Sequence, residues 1–128
     1  MIMSFRLGTN DIAKARAFYD ATFVALGGSP SVAPPTAPMA LYRQAGAPVL
    51  IIGPAADGEP ATHANGGTIL LVAPDDDSVD AWHAAGLANG GTDAGAPGPR
   101  ARVKDRRGAY LRDPDGNKLG CYAGSLFG

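Results

Sequence analysis

The sequence lacks the usual features of a secreted or membrane-spanning protein. It contains one cysteine, Cys121, so no disulfide can form within the chain, as is typical of a reducing compartment. No stretch approaches the ~18 apolar residues of a membrane span. The first six residues, MIMSFR, also lack a charged segment before an apolar core, so they do not resemble a signal peptide. We therefore expect a cytoplasmic protein.

The chain also lacks an excess of charge of either sign. Eleven basic and twelve acidic residues give a net charge of −1, which favours neither nucleic acid nor an anionic membrane as a partner. One local run is basic, but Asp105 and Asp113 interrupt it and no aromatic residues alternate with its cations. We interpret this run as a solvated loop face rather than a phosphate-binding strip. Its members are Arg100, Arg102, Lys104, Arg106, Arg107 and Arg112.

An internal repeat is the most informative feature present. One constant interval carries Ser4 onto Thr68 and Asp11 onto Asp75. Each half has an alternating run, an acidic helix start, an amphipathic helix and a glycine pair. Because such a unit needs a partner to bury its apolar face, two modules sharing one sheet system are expected. The composition, 45% hydrophobic and 18% charged, is that of one globular domain. We predict a single domain, 1–128, with modules of about 1–60 and 61–128.

Each module is predicted to contain one helix. Asp11 can cap a helix over residues 11–26, whose apolar positions recur at spacings of three, four and seven. Asp75 can cap the second helix in the same way. The predicted buried stripe of that helix consists of Val79, Trp82 and Leu87.

Strands are predicted on both sides of each helix. Residues 113–117, Asp-Pro-Asp-Gly-Asn, form a hairpin turn, since proline presets φ and glycine supplies φ > 0. The glycine- and proline-rich stretch after Gly90-Gly91 is predicted to be a loop. A proline-rich link also follows the first helix. The predicted strands are 2–8, 40–43, 49–52, 68–72, 109–112 and 118–123.

This plan resembles the vicinal oxygen chelate superfamily, which includes glyoxalases, bleomycin resistance proteins and extradiol dioxygenases. The resemblance covers nearly the whole chain. It implies an α+β fold of two βαβββ modules that form a half-open, curved mixed sheet around a cavity, with the helices outside. It also implies a homodimer. The motifs that carry it are Asp11 with Phe18-Tyr19-Asp20, Asn65-Gly66-Gly67, Trp82-His83-Ala84-Ala85, Gly90-Gly91, Gly95-Ala96-Pro97-Gly98 and 111–119.

The resemblance also locates the positions where enzymes of this superfamily hold a divalent metal ion. A histidine on the first strand of each module corresponds to Ser4 and Thr68, and a glutamate on the last strand corresponds to Gly120. An occasional fourth ligand corresponds to a position near Ile51. A divalent ion needs several imidazole or carboxylate ligands, which two hydroxyls and a glycine do not supply. We therefore expect neither a metal nor another cofactor.

Strand alternation predicts which side chains surround the cavity. If Met3, Phe5 and Leu7 pack under the first helix, Ser4 and Arg6 face the opposite side. The same parity applied to the second module completes the predicted ligand pocket. Its members are Ser4, Arg6, Ile51, Thr68, Leu70, Tyr110, Lys118, Gly120 and Tyr122.

Arg6 is open to two interpretations. It can form an ion pair with a nearby carboxylate or reach solvent at the rim. It can also clamp an anionic ligand, since a guanidinium matches carboxylate or phosphate in a bidentate manner. We therefore expect a small-molecule ligand, with an anion as one candidate.

Other candidate residues have structural interpretations. His63 lies in a connecting loop, off the strand that would carry a ligand, and His83 is expected to be a partly buried helix residue. Cys121 points to the helix side by parity, where it behaves as a small hydrophobe. Asp113 and Asp115 are expected to stabilise their turn by local hydrogen bonds.

Three functions are consistent with these observations. The first is metal-independent binding of a small molecule, with or without an enzymatic activity. The second is a metal-dependent lyase or dioxygenase with unusual ligands, in which His63 or a partner chain would supply donors. The third is a drug-sequestering resistance protein, although Arg6 and Lys118 disfavour a cationic drug.

Overall fold

The computed structural model describes residues 1–44 and 46–126. Within these residues the chain forms two helices, seven strands and one short 3₁₀ turn, Ala101–Val103. The helices are α1 (Ile12–Ala25) and α2 (Asp76–Ala88), and the strands are β1 (Ser4–Gly8), β2 (Ala40–Tyr42), β3 (Val49–Gly53), β4 (Thr68–Ala73), β5 (Thr92–Arg100), β6 (Arg106–Arg112) and β7 (Lys118–Ala123).

The strands form two mixed sheets with related topology. The first sheet has the order β1-β3-β2 and the second β4-β7-β6-β5. In both, the first strand of the module pairs in parallel with the last strand, which pairs antiparallel with the strand before it. The predicted α+β class and the internal repeat are confirmed. Within residues 1–44 and 46–126, neither helix has the length and hydropathy that crossing a membrane requires.

Both helices begin at the predicted aspartates. The Asp11 carboxylate accepts a hydrogen bond from Lys14 N at 3.1 Å, and the Asp75 carboxylate accepts one from Ser78 N at 2.8 Å. These side chains satisfy backbone donors that have no partner within the helix. The aromatic residues of α1 then pack into one core with both sheets and α2. This core includes Phe18, Tyr19, Phe23, Tyr42, Trp82 and Leu111.

The buried stripe of α2 differs from the prediction. Leu87 is 45% exposed, so its assignment to the core was wrong. Gly86 is buried in its place, and a side chain there would collide with Leu111 and Phe18. The absence of a side chain lets α2 approach α1 and β6 closely, which turns Leu87 outward.

The glycine- and proline-rich stretch after Gly91 is also different from the prediction. It forms β5 rather than a loop, and its pairing with β6 shifts register twice. β5 lies at the edge of the second sheet, where a proline that cannot donate a hydrogen bond is tolerated. The glycines and prolines that predicted a loop are instead accommodated in an irregular edge strand.

The hairpin turn between β6 and β7 connects the modules. Asp113 is buried and accepts hydrogen bonds from Tyr19 Oη at 2.6 Å and Asn117 Nδ2 at 2.9 Å. Asn117 Nδ2 also donates to Gly8 O at 3.1 Å. Burial and the Asp113 carboxylate raise the pKa of Tyr19, so its hydroxyl remains a donor. The predicted structural role of Asp113 is confirmed, and its hydrogen bonds extend beyond the turn.

Candidate functional site

The site is built on the face of the second sheet opposite α2. Register places Leu70 beside Gly120 and Gly120 beside Tyr110, so their side-chain positions share one face. Tyr122 lies beside Gly108 on the same face. A cavity of about 400 Å³, called the main cavity below, opens over them. It is lined by Leu70, Arg102, Val103, Lys104, Arg106, Tyr110, Tyr122 and Leu126.

Two glycines let aromatic rings lie against this sheet. A Cβ added at Gly108 would lie 2.5 Å from the Tyr122 ring. A Cβ added at Gly120 would lie 2.6 Å from both Tyr110 Cε1 and Leu70 Cδ2. The space above each glycine is therefore already filled by a neighbouring side chain, and these side chains form the floor of the cavity.

The two tyrosines form a hydrogen-bonded pair. Their hydroxyl oxygens are 2.7 Å apart, and their rings meet edge to face with centroids 5.9 Å apart. Desolvation and, to a smaller extent, the hydrogen bond to Tyr110 raise the pKa of Tyr122 to about 12. Tyr122 therefore keeps its proton at neutral pH and presents a neutral phenol to a ligand.

The rim of the cavity is basic. Arg102, Lys104 and Arg106 contribute to its lining. Arg106 Nη1 donates to two backbone oxygens, Ala123 O at 3.2 Å and Ser125 O at 2.8 Å. Two further cations lie close to the Tyr110 ring centroid: Lys118 Nζ at 5.1 Å and Arg100 Cζ at 5.9 Å.

The three rim cations were not among the pocket residues predicted from the sequence. Their run was interpreted as a solvated loop face, whereas the 3₁₀ turn and β6 bring Arg102, Lys104 and Arg106 to one cavity. Their alternate spacing in the sequence was the available signal. It was discounted because Asp105 interrupts the run and because the turn could not be positioned.

The nine predicted pocket residues fall into two groups. Leu70, Tyr110 and Tyr122 line the main cavity, with Gly120 beneath them. The remaining five do not line this cavity. They are Ser4, Arg6, Ile51, Thr68 and Lys118.

A second cavity, of about 250 Å³, lies at the junction of the two modules. Arg6, Thr68 and Lys118 are among its lining residues. Arg6 pairs in register with Ile51 and donates from Nη2 to Pro54 O at 2.8 Å. Its side chain is exposed and makes no ion pair with any residue the structure describes. The structure therefore places Arg6 at a solvent-accessible rim, outside the main cavity.

The predicted alternation of buried and exposed side chains along β1 is only partly observed. Leu7 packs against the core, whereas Phe5 is 41% exposed and Met3 is 85% exposed. Phe5 does lie on the α1 side, where it lines a small pocket with Phe23 and Tyr42. β1 is the edge strand of its sheet, so one flank of Phe5 stays open.

The residues at the four metal-ligand positions do not fit a divalent ion. Ser4 and Thr68 offer only hydroxyls, and they lie on edge strands of different sheets. Ile51 has no donor, and the space above Gly120 is filled by Leu70 and Tyr110. No group of three His, Cys, Asp or Glu side chains in residues 1–44 and 46–126 has metal-binding geometry. The donor set that the family resemblance would require is absent there.

The two histidines and the cysteine lie outside the main cavity. His83 Nε2 lies 2.8 Å from Asp93 Oδ1, which joins α2 to the start of β5. Its hydrogen bond lowers the pKa of Asp93. His63 is exposed and lies beside the turn at Gly116. Cys121 is fully buried, and desolvation raises its thiol pKa to about 12, so it is a core residue as predicted.

Comparisons with known proteins agree with this architecture. The sequence model of the Glyoxalase/Bleomycin resistance protein/Dioxygenase superfamily matches residues 2–120. A search of the curated proteins gave no match. Among solved structures, a glyoxalase/bleomycin resistance protein from Albidiferax ferrireducens T118 is 39% identical, with 96% of this chain and 98% of that chain covered and a TM-score of 0.86.

Two more distant structures show the same fold. A glyoxalase-related enzyme from Fulvimarina pelagi is 17% identical, with 97% of this chain and 88% of that chain covered and a TM-score of 0.77. Lactoylglutathione lyase from Agrobacterium tumefaciens is 24% identical, with 100% and 96% covered and a TM-score of 0.66. From the family match over residues 2–120 and the similarity to the Albidiferax protein, the chain belongs to the Glyoxalase/Bleomycin resistance protein/Dioxygenase superfamily.

Proposed function

We propose that this protein binds a small organic molecule over the second sheet without a metal ion. The observation that carries this proposal is the packing at Gly120. Leu70 and Tyr110 fill the space where the resemblance would place a ligating glutamate, and the same two side chains line the cavity of about 400 Å³. The surface that would face a metal is thus part of an aromatic and aliphatic binding floor.

The chemistry of this floor suits a small molecule. Small-molecule pockets are typically apolar and aromatic, with a few polar groups that fix orientation. Leu70, Val103 and Leu126 supply apolar surface, while the hydroxyls of Tyr110 and Tyr122 supply the polar groups. With Tyr122 protonated at neutral pH, this pair can donate to or accept from a bound ligand.

Metal analysis of protein purified without chelator tests the metal-independent part. The expected result is substoichiometric metal together with an unchanged thermal midpoint after chelator is added and removed. Stoichiometric zinc, nickel, iron or manganese that is lost with chelator and restored by adding the ion would refute it. Parallel measurements on Ser4→Ala and Thr68→Ala would show whether these hydroxyls hold any bound ion.

A metal-dependent lyase or dioxygenase is the first alternative. It would need donors beyond those at the four expected positions, and His63, which lies beside the turn at Gly116, is not among the residues that line the junction cavity. Formation of lactoylglutathione or cleavage of a catechol ring, abolished by chelator, would establish this alternative in place of metal-independent binding.

Sequestration of a cationic drug is the second alternative. The rim of the main cavity carries Arg102, Lys104 and Arg106, which would repel a cation. Tight calorimetric binding of bleomycin would establish this function.

We also propose that the protein is a homodimer. Apolar side chains are exposed at the start of the chain and on β4. They are Met1, Ile2, Met3, Phe5, Leu70 and Val72. β1 and β4 are both edge strands, so their outer backbone groups lack a strand partner in the described sheets. Sedimentation velocity over a range of concentrations should show a dimer that Val72→Lys weakens. A monomer at all concentrations would contradict this.

A further inference from the structure

The charge of the main cavity indicates what kind of molecule it binds. Three cations, Arg102, Lys104 and Arg106, contribute to its lining, and no aspartate or glutamate does. Both ion pairs found within residues 1–44 and 46–126 lie elsewhere, at His83 and Arg107. The three cations are therefore not neutralised by contact with a carboxylate of the described chain.

Two of these cations have unused donors. The side chains of Arg102 and Lys104 make no hydrogen bond with residues in the described part of the chain, whereas the Arg106 side chain donates to Ala123 O and Ser125 O. Arg102 can offer a planar fork of N–H groups, and Lys104 can offer an ammonium. An oxyanion is the ligand group that satisfies both.

The turn that carries Lys104 has an uncommon backbone. Lys104 and Asp105 have φ values of 54° and 57°, the only positive values at non-glycine residues in the described chain. Asp105 N donates to Arg100 O at 3.0 Å, which closes the turn. Such conformations cost energy and persist where the surrounding structure enforces them, often at ligand sites. The turn thus holds Lys104 next to the cavity at the expense of local strain.

The rest of the lining is apolar or aromatic. Leu70, Val103 and Leu126 contribute to it together with the two tyrosines. Arg100 and Lys118 also lie within 6 Å of the Tyr110 ring centroid, which keeps the surroundings of that ring positive. A cavity of about 400 Å³ is at the lower end of the range for small-molecule sites, so it fits a ligand of one or two rings.

On the basis of the function proposed above, we infer that the ligand is an amphipathic organic anion. Its carboxylate or phosphate contacts Arg102 and Lys104, and its apolar body lies against Leu70 and Tyr110. This assigns a ligand contact to Arg102 and Lys104, two members of the basic run that was expected to be a solvated loop face. It also differs from the anion clamp considered for Arg6, because Arg6 lies outside this cavity.

Isothermal titration calorimetry with three one-ring probes tests this inference. Benzoate carries a carboxylate, phenyl phosphate carries a phosphate, and benzyl alcohol is a neutral control of similar size. At low salt we expect at least one anion to bind ~10-fold or more tightly than benzyl alcohol, because two uncompensated cations face it. Inorganic phosphate should bind more weakly than phenyl phosphate, since it lacks the apolar body.

A matched pair of charge reversals locates the binding site. Lys104→Glu and Lys14→Glu change the net charge equally, but Lys14 is exposed on α1, outside the cavity. Lys104→Glu should weaken anion binding ~10-fold, whereas Lys14→Glu should change it by less than ~2-fold, because distant exposed charges are screened. Arg102→Gln provides a second test if Lys104→Glu is not folded by circular dichroism.

The failures of the two proposals are distinguishable. If benzyl alcohol binds as tightly as both anions, the ligand is not selected by charge and the inference is overturned, while small-molecule binding stands. Equal losses in Lys104→Glu and Lys14→Glu would also overturn it, because the anion would then bind elsewhere. If no probe binds at millimolar concentration, both the inference and the proposed function are refuted.

Discussion

The two modules share a strand topology but carry different chemistry on corresponding sheet faces. On the first sheet this face carries Arg6 and Ile51, and Arg6 reaches out to the carbonyl of Pro54. On the second sheet it carries Tyr110 and Tyr122, which lie over glycines. A repeated scaffold thus leaves its faces free to diverge, and in this protein the described cavity with an aromatic floor belongs to the second module.

The difference depends on small residues as much as on large ones. Gly108 and Gly120 make room for the rings on the second sheet. The second module also has β5 and the 3₁₀ turn, which supply the basic rim, whereas the proline-rich link occupies the corresponding part of the first module. The two modules therefore differ in side-chain packing and in one additional strand.

The largest effect should come from introducing a glutamate at Gly120, and the same change at Ile51 provides the comparison in the first module. Both positions correspond to metal-ligand positions of the superfamily. Gly120→Glu should reduce the free energy of unfolding by about 3 kcal/mol or more, since it forces a charged side chain into space filled by Leu70 and Tyr110. Ile51→Glu on the partly exposed first sheet should cost about 1 kcal/mol. Urea denaturation measures both. Equal costs would contradict the difference in packing between the two faces.

Removing a hydrogen-bonded carboxylate from each module, the buried Asp113 and the partly buried Asp20, should give the next largest effect. Asp113→Ala removes the acceptor for Tyr19, for Asn117 and for the turn backbone, and should cost about 2–3 kcal/mol. Asp20 accepts from Tyr42 Oη at 2.6 Å and Ser31 N at 3.0 Å, so Asp20→Ala should cost about 1 kcal/mol. A larger loss for Asp20→Ala than for Asp113→Ala, measured by urea denaturation, would contradict this order of the two costs.

Alkaline pH should destabilise the protein first through Cys121, which lies in the second module. Burial raises the pKa of Cys121 to about 12, whereas a cysteine in an unfolded chain titrates near ~8.5. Between these values the folded chain holds a proton that the unfolded chain has lost, so stability falls as pH rises. The expected fall from pH ~8.5 to ~10 is on the order of 1–2 kcal/mol.

The corresponding group in the first module titrates later. Burial and the hydrogen bond to Asp20 raise the pKa of Tyr42, but a phenol in an unfolded chain titrates only near ~10. Tyr122 likewise contributes only from that pH upward. Cys121→Ala should therefore flatten the dependence of stability on pH below pH ~10. Urea midpoints measured at several pH values test this. An unchanged slope would show that the thiol is not the responsible group.

Relieving the left-handed turn should give the smallest effect, a gain in stability. Asp105→Gly removes the steric cost of its φ of 57° while leaving the three lining cations in place. It should stabilise the protein by about 0.5–1 kcal/mol, the steric relief being partly offset by the greater freedom of glycine in the unfolded chain. In the first module the left-handed positions, such as Gly27 and Gly46, are already glycine. A lower thermal midpoint for Asp105→Gly would contradict the claim that the backbone at Asp105 is strained.

Much of the fold could be predicted from sequence because its signals are local. The last strand, 118–123, was predicted with its observed bounds, and both capping aspartates were identified. Hydrophobic alternation and side-chain caps depend on neighbours in the sequence. The repeat then related the two modules without any knowledge of tertiary contacts.

The errors occurred where tertiary contacts override local signals. Leu87 fitted the helical stripe, but close packing at Gly86 turned it outward. β5 carries glycines and prolines that a paired edge strand accommodates. The basic rim was missed for a related reason, because the conformation of Lys104 and Asp105 determines where that run points. Composition alone does not encode that direction.

Nuclear magnetic resonance titration of benzoate in the presence of chelator tests the central claim most directly. Saturable chemical-shift changes should appear at Leu70, Tyr110 and Tyr122, with the same affinity whether or not chelator is present. Changes concentrated at Ser4, Arg6 and Ile51, and lost when chelator is added, would contradict the claim that ligand binding belongs to the second module and needs no metal.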